Sequence, residues 1–140
     1  KNSAIAATAM KEVVAKRGHK FNEKLTLPII VDDKFEEIKK TKQIIEALDK
    51  IGVYEDVLRA TNGKHTRAGI GKARGRKYKT PKSLLIVSTK DDFQKCSKNL
   101  TGVDVVKPSN INIEYLAPGG DAGRLTIFTK SALKELGGAK

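Results

Sequence analysis

Leu84-Leu85-Ile86-Val87 is a run of four apolar residues between Lys82-Ser83 and Ser88-Thr89-Lys90. An unbroken apolar run of this length predicts a strand covered on both faces, the environment inside a parallel sheet. Parallel neighbours need crossover connections, so helices should flank the strand. Asp91 and Asp92 can open such a helix, with Phe93, Cys96 and Leu100 as its inner stripe, which makes Cys96 a packing residue. Val103 to Val106 predicts the next strand, stopped by Pro108, and Ile111 to Leu116 a short helical turn. Pro118-Gly119-Gly120-Asp121-Ala122-Gly123 is turn-forming, and Leu125, Ile127 and Phe128 mark a last strand. Thr129 then caps a closing helix containing Ala132, Leu133 and Leu136, with Gly137 past its end.

The same alternation runs upstream. Ser3 can cap an Ala-rich helix reaching about Arg17, with Gly18 just beyond it. Leu25 to Val31 is extended, and Pro28 places it at an edge or a start. Asp33 and Glu36 stand in capping-box register at the head of a helix with Phe35, Ile38, Ile45, Leu48 and Ile51 on one face. Gly52 follows that helix, and Glu36, Glu37, Lys39 and Lys40 form its solvated outer face. Val53 to Ala60 fits either a short helix or a strand. Strand–helix alternation throughout, with no repeat, predicts an α/β domain with right-handed crossovers.

Between Asp56 and Asp91 the chain carries no acid. Ten cations stand there alone: Arg59, Lys64, Arg67, Lys72, Arg74, Arg76, Lys77, Lys79, Lys82 and Lys90. The whole chain has a net charge of +12, so most of the excess lies in this quarter. Its centre, GKARGRKYK (71–79), has glycines and no apolar run, which excludes a core helix or a buried strand.

The other 106 residues are nearly neutral, with room for one ordinary core in a chain of 140 residues. Cys96 is the only cysteine, so no internal disulfide can form, which suits a reducing cytosol. No stretch approaches the ~18 apolar residues of a membrane span. The chain starts at Lys1 rather than Met, and we expect an N-terminal part of a longer protein to precede it.

Catalytic chemistry finds little to work with. A P-loop at Gly71-Lys72 would need glycine where Thr66 stands and a hydroxyl where Ala73 stands. A dinucleotide fingerprint from Gly69-Ile70-Gly71 meets Gly75 one position late. His19 and His65 lie in basic surroundings, and no Cys-x-x-Cys or His-x-x-x-His exists to hold zinc. Asp32/Asp33 and Asp91/Asp92 are explained by helix starts. We expect no catalytic residues, no metal, no cofactor and no small-molecule substrate.

The basic segment points to RNA. Cations release counterions from phosphates, glycines let backbone amides approach them, and Tyr78 can stack on an unpaired base. A loop of about twenty residues reaches roughly 65–70 Å when extended, enough to thread between RNA helices, and we expect it to order only on RNA. No helix–turn–helix, zinc finger or zipper argues for DNA. Two rival readings are a nucleotide-dependent α/β enzyme and a protein-binding module whose basic loop docks on an acidic partner.

SAIAATA (3–9) with Arg17-Gly18-His19, the string GKARGRKYK, and EYLAPGGDAGRLTIFTKSAL (114–133) follow one another as in a known family. The chain resembles the later part of the large-subunit ribosomal protein four family, in its archaeal–eukaryotic branch. The resemblance implies a Rossmann-like three-layer α/β domain with a mostly parallel sheet, spanning 1–140 and lacking the family's first strands and its long N-terminal extension. It implies rRNA contacts by a basic loop over 62–82, neighbouring ribosomal proteins as partners, and a cytoplasmic ribosome as location. By position, the RNA-binding residues would be Arg17, His19 and Lys20, then Lys64, His65, Arg67, Lys72, Arg74, Arg76, Lys77, Tyr78, Lys79 and Lys82, and Arg124 beside the Pro-Gly-Gly turn.

Overall fold

The apolar run at 84–87 is the middle of the molecule. In the computed structural model, which describes residues 1–22 and 24–138, the elements in chain order are α1 (Asn2–Ala7), α2 (Lys11–Lys16), β1 (Ile29–Val31), α3 (Thr41–Ile51), α4 (Tyr54–Asn62), β2 (His65–Thr66), β3 (Tyr78–Lys79), β4 (Leu85–Val87), α5 (Asp91–Ser97), β5 (Asp104–Val106), α6 (Ile113–Leu116), β6 (Thr126–Thr129) and α7 (Lys130–Gly138). Four strands form one parallel sheet in the order β1-β6-β4-β5. Ile86 lies opposite Ile127 on one side and Val105 on the other, and every residue of β4 and β6 is buried. That order differs from the 3-2-1-4-5-6 of the dinucleotide-binding sheet.

Helices cover both faces, giving three layers. One face packs Ile29, Leu84, Ile86, Val105 and Ile127 against Ile44 and Leu48 of α3, Val57 of α4 and Phe93 of α5. The other packs Leu85, Val87, Val106 and Phe128 against Leu116 of α6 and Ala132 of α7. The sheet steps one way from β1 to β4 to β5 and then back to β6. Crossovers of a single hand must put the outgoing helices on one face and the returning one on the other, as found.

Several local expectations are revised. The first helix is two: Met10 is extended (φ −86, ψ 105) and Thr8 is buried, its hydroxyl bonded to the Ile5 carbonyl at 2.7 Å. Ala4 and Ile5 pack on one layer and Val14 on the other, which one straight helix could not serve. Ser3 lies inside α1, whose N-cap is Lys1. The capping box at Asp33 and Glu36 does not form. Residues Asp33–Glu37 make a 3-10 turn instead, and α3 starts afresh at Thr41 with Ile44 as well as Leu48 fully buried. Glu36 is buried rather than solvated: its carboxylate accepts from the Thr89 amide (3.1 Å) and hydroxyl (2.7 Å) beyond β4. Asp33 accepts from the Ser131 amide at 2.9 Å in the first turn of α7. Three long-range bonds to two carboxylates thus override a local capping pattern. Val53 to Ala60 resolves as helix, in α4. Thr129 does cap α7, accepting from the Ala132 amide at 3.3 Å, but α7 continues through Gly137 to Gly138. Cys96 is half-buried against the first layer.

Candidate nucleic-acid interface

The acid-free segment is a hairpin rather than a featureless loop. β2 and β3 pair antiparallel, His65 opposite Lys79 and Thr66 opposite Tyr78, and the Arg67 amide donates to the Lys77 carbonyl at 2.9 Å. A 3-10 turn at Ile70–Lys72 and a bond from the Arg76 amide to the Gly71 carbonyl (3.0 Å) close the tip. Gly75 there has φ +75, where a side chain would be strained. The segment is therefore folded back into two short strands, not drawn out to its full reach.

Seven cations ride on it: Lys64, Arg67, Lys72, Arg74, Arg76, Lys77 and Lys79. Among the described residues none of them pairs with an acid. His65, Arg67, Gly71, Arg76 and Lys79 line a cleft of about 490 Å³, and the Arg67 Nε atom is buried there without a hydrogen-bond partner. Tyr78 is half-exposed, with Lys64 Nζ 4.9 Å and Lys77 Nζ 5.6 Å from its ring centroid. His65 Nδ1 bonds the Gly63 carbonyl at 2.9 Å.

The hairpin leaves the body at the amino ends of the parallel strands, where its base is held by a buried carboxylate. Asp56 of α4 is fully buried and accepts four bonds of 2.9 Å, from His19 Nδ1, the Lys20 amide, Arg59 Nε and Ser83 Oγ. Arg59 also donates to the Lys82 carbonyl at 2.9 Å. The helix leading into the hairpin and the segment leading out of it are therefore tied to one side chain. Gly102 closes the base from the other side: a Cβ there would lie 2.4 Å from the Pro81 carbonyl oxygen. Burial pushes the Asp56 carboxyl up, but the bonds from His19, Arg59 and Lys20 outweigh it and leave it lowered from 3.8 to about 2. A carboxylate with a depressed pKa contributes stability that is complete above its unfolded value near 3.8 and is lost as pH falls toward 2. Roughly 2 kcal/mol should disappear over that window. Urea melts across pH 2–5 check this. Asp56→Asn should be less stable at neutral pH, with the wild-type advantage shrinking as pH drops; a constant difference would disprove it.

Three residues expected at the interface sit elsewhere. Arg124 is fully buried: Nε donates to the Ser83 carbonyl (2.8 Å), Nη1 to Tyr115 (2.9 Å), and Nη2 reaches the Leu84 carbonyl (3.1 Å) and Asp104 Oδ2 (2.6 Å). His19 is buried on Asp56. Arg17 spends its guanidinium on the Pro118 (2.6 Å) and Asp121 carbonyls, bracing the Pro-Gly-Gly turn. In this structure both guanidiniums bond the protein's own carbonyls and His19 Nδ1 bonds Asp56, while His19 Nε2 is buried without a hydrogen-bond partner among the described residues. Lys20 and Lys82 are exposed, the latter paired with Asp104 at 2.9 Å. Sequence reasoning missed Asp56 and Asp104; the available signal was that Asp56 is the last acid before the cationic run and shares a buried helix face with Val57 and Ala60.

The opposite, carboxyl end of the sheet is where open α/β domains bind nucleotides. Here Glu36 and Asp33 occupy it, their oxygens already on Thr89 and Ser131. That places negative charge where a phosphate would need donors.

Comparison with known proteins agrees with the geometry. The sequence model of the Ribosomal protein L4/L1 family matches residues 1–139. The chain belongs to the ribosomal protein L4/L1 family. Relatives in that family include the large ribosomal subunit protein uL4 of Thermoplasma acidophilum, 54% identical over 136 residues, covering 97% of this chain and 53% of the relative. The uL4 of Methanocaldococcus jannaschii is 53% identical over 135 residues, covering 96% and 53%. That of Natronomonas pharaonis is 51% identical over 134 residues, covering 96% and 54%. The chain spans about half the length of these L4-family relatives.

Proposed function

We propose that this chain is a non-catalytic constituent of the large ribosomal subunit, in the cytoplasm, holding large-subunit rRNA through the hairpin at 62–82 and standing beside other ribosomal proteins. One observation carries the reading: seven cations and an exposed tyrosine stand on one hairpin with no acid among the described residues to neutralise them. Close-packed like charges repel one another, and a dense array of phosphates relieves that repulsion while releasing counterions. Membership of the L4/L1 family and half-identity to proteins named as large ribosomal subunit uL4 support it. The body supplies a rigid platform, so the contacts at the hairpin base are set before RNA arrives.

Amide exchange with and without large-subunit rRNA tests this. Residues 62–82 should exchange far more slowly in the complex, the tip around Gly69–Gly75 gaining most and the base least. Equal protection in both states would count against the proposal, and specific protection at the carboxyl end of the sheet by ATP, GTP or NAD would favour an enzyme instead.

A further inference from the structure

The two faces of the hairpin differ in chemistry. Cross-strand partners share a face in an antiparallel ladder and alternate residues change face. His65 and Lys79 therefore point one way with Arg67, into the guanidinium-lined cleft. Thr66 and Tyr78 point the other way with Lys64, whose ammonium indeed lies over the tyrosine ring. On that second side the hairpin does not stand alone. Lys64, Thr80 and Lys82 face Lys98, Asn99 and Thr101, at the end of α5 and before β5, across a cleft of about 370 Å³.

We infer that the turn at 98–102 is the second half of the RNA site, and that this cleft takes a ribose–phosphate segment whose adjoining base stacks on Tyr78. The inference rests on the rRNA reading above and extends it to residues outside the acid-free run. Its chemistry suits that ligand. Lys64 and Lys98 are exposed and, among the described residues, without an acidic partner. The one acid lining the cleft, Asp104, is already shared between Lys82 (2.9 Å) and Arg124 (2.6 Å), and those cations hold its carboxyl low against the opposing effect of burial. Thr80, Thr101 and Asn99 add hydroxyl and amide groups able to bond a 2′-hydroxyl or a phosphate oxygen. An acidic protein segment could use the lysines alone. It would not need the continuity with a half-exposed aromatic ring, which favours a polynucleotide.

Lysine acylation footprinting of the whole chain with and without large-subunit rRNA reads the site directly. Lys98 and Lys64 should be protected together with Lys72, Lys77 and Lys79, while Lys34, at the carboxyl end of the sheet, should not. Lys98→Glu should lower the salt slope of binding by ~0.7–0.9 and the affinity about fivefold at 0.15 M salt, one phosphate's worth of counterion release. Lys34→Glu, with the same change in net charge, should do much less. Protection of the hairpin lysines with Lys98 acylated at its free rate, or equal effects of the two variants, would overturn the inference and leave the hairpin reading standing. Protection of no lysine would bring down both. Poly-glutamate protecting Lys98 as well as rRNA does would reassign the cleft to an acidic protein.

Discussion

Changing Arg74, Arg76, Lys77 and Lys79 together to alanine should cut affinity for large-subunit rRNA by about 10²–10³-fold at 0.15 M salt and leave the fold unchanged. All four side chains are exposed and none pairs with an acid among the described residues. Their loss therefore removes no core packing and no internal ion pair, only the surface contact of Lys77 with the Tyr78 ring. Each phosphate contact contributes ~0.7–0.9 to the slope of log K against log salt, so four of them should flatten that slope by roughly 3. The difference between variant and wild type should narrow steadily as salt rises, because counterion release weakens in concentrated salt. Filter binding over a salt series and a urea melt of each protein supply both halves of the comparison. Undiminished slope would mean that the hairpin does not meet phosphates, and a lower melting midpoint would mean that it is packed against its own body.

Arg124 should behave in the opposite way, although it too is an arginine in one of the strings on which the resemblance was drawn. Arg124→Met should cost about 3–5 kcal/mol of stability, the range for removing one partner of a buried charge network. The guanidinium donates to the Ser83 and Leu84 carbonyls before β4, the Gly102 carbonyl before β5 and the Tyr115 carbonyl of α6, and it answers the Asp104 carboxylate. Burial lowers its pKa and Asp104 offsets only part of that, so the group is an ion held by its counterion rather than a spare surface charge. Methionine fills similar volume but takes the donor from the Ser83 and Tyr115 oxygens, at about 1–3 kcal/mol each where water cannot replace the bond, while the Leu84 and Gly102 oxygens keep the Asp104 and Ser83 amides. Since domains are stable by only about 5–15 kcal/mol, the variant should be close to unfolding at 37 °C. A urea midpoint within error of wild type would show that the oxygens find other donors. RNA affinity of whatever fraction stays folded should be nearly normal, which separates this residue from the hairpin cations.

The contrast between these two arginine sets shows what a sequence carries. Arg74 and Arg124 look alike in a string of letters; only the Tyr115, Ser83 and Leu84 carbonyls around Arg124 reveal that its charge faces inward. Layering and strand positions were legible because Leu84–Val87 is an unbroken apolar run, and Val103–Val106 and Leu125–Phe128 are short apolar segments each interrupted by one polar residue, Asp104 and Thr126. The break at Met10 was not, since it answers to two separate layers that local propensity does not know about. Likewise Glu36 has the spacing of a cap and finds a partner more than fifty residues away at Thr89. Within the site, charge and glycine content marked the hairpin, and the family resemblance, which the comparisons bear out, ordered its parts. The clamp on Asp56 and the facing turn at 98–102 depend on which segments meet in space.

The carboxylates that close the far end of the sheet give the body an orientation. Asp32, Asp33, Glu36, Glu37, Asp91 and Asp92 lie past the strand termini there, four of them paired with Lys130, Lys90, Lys107 and Lys95, while the hairpin cations and Lys98, without acidic partners among the described residues, lie beyond the strand beginnings. A particle charged in this way carries a permanent dipole along its strands. In the field of a polyanion it would turn before contact, presenting its cationic tip and keeping the charge-paired end outward. Fewer encounters would then be spent on unproductive poses.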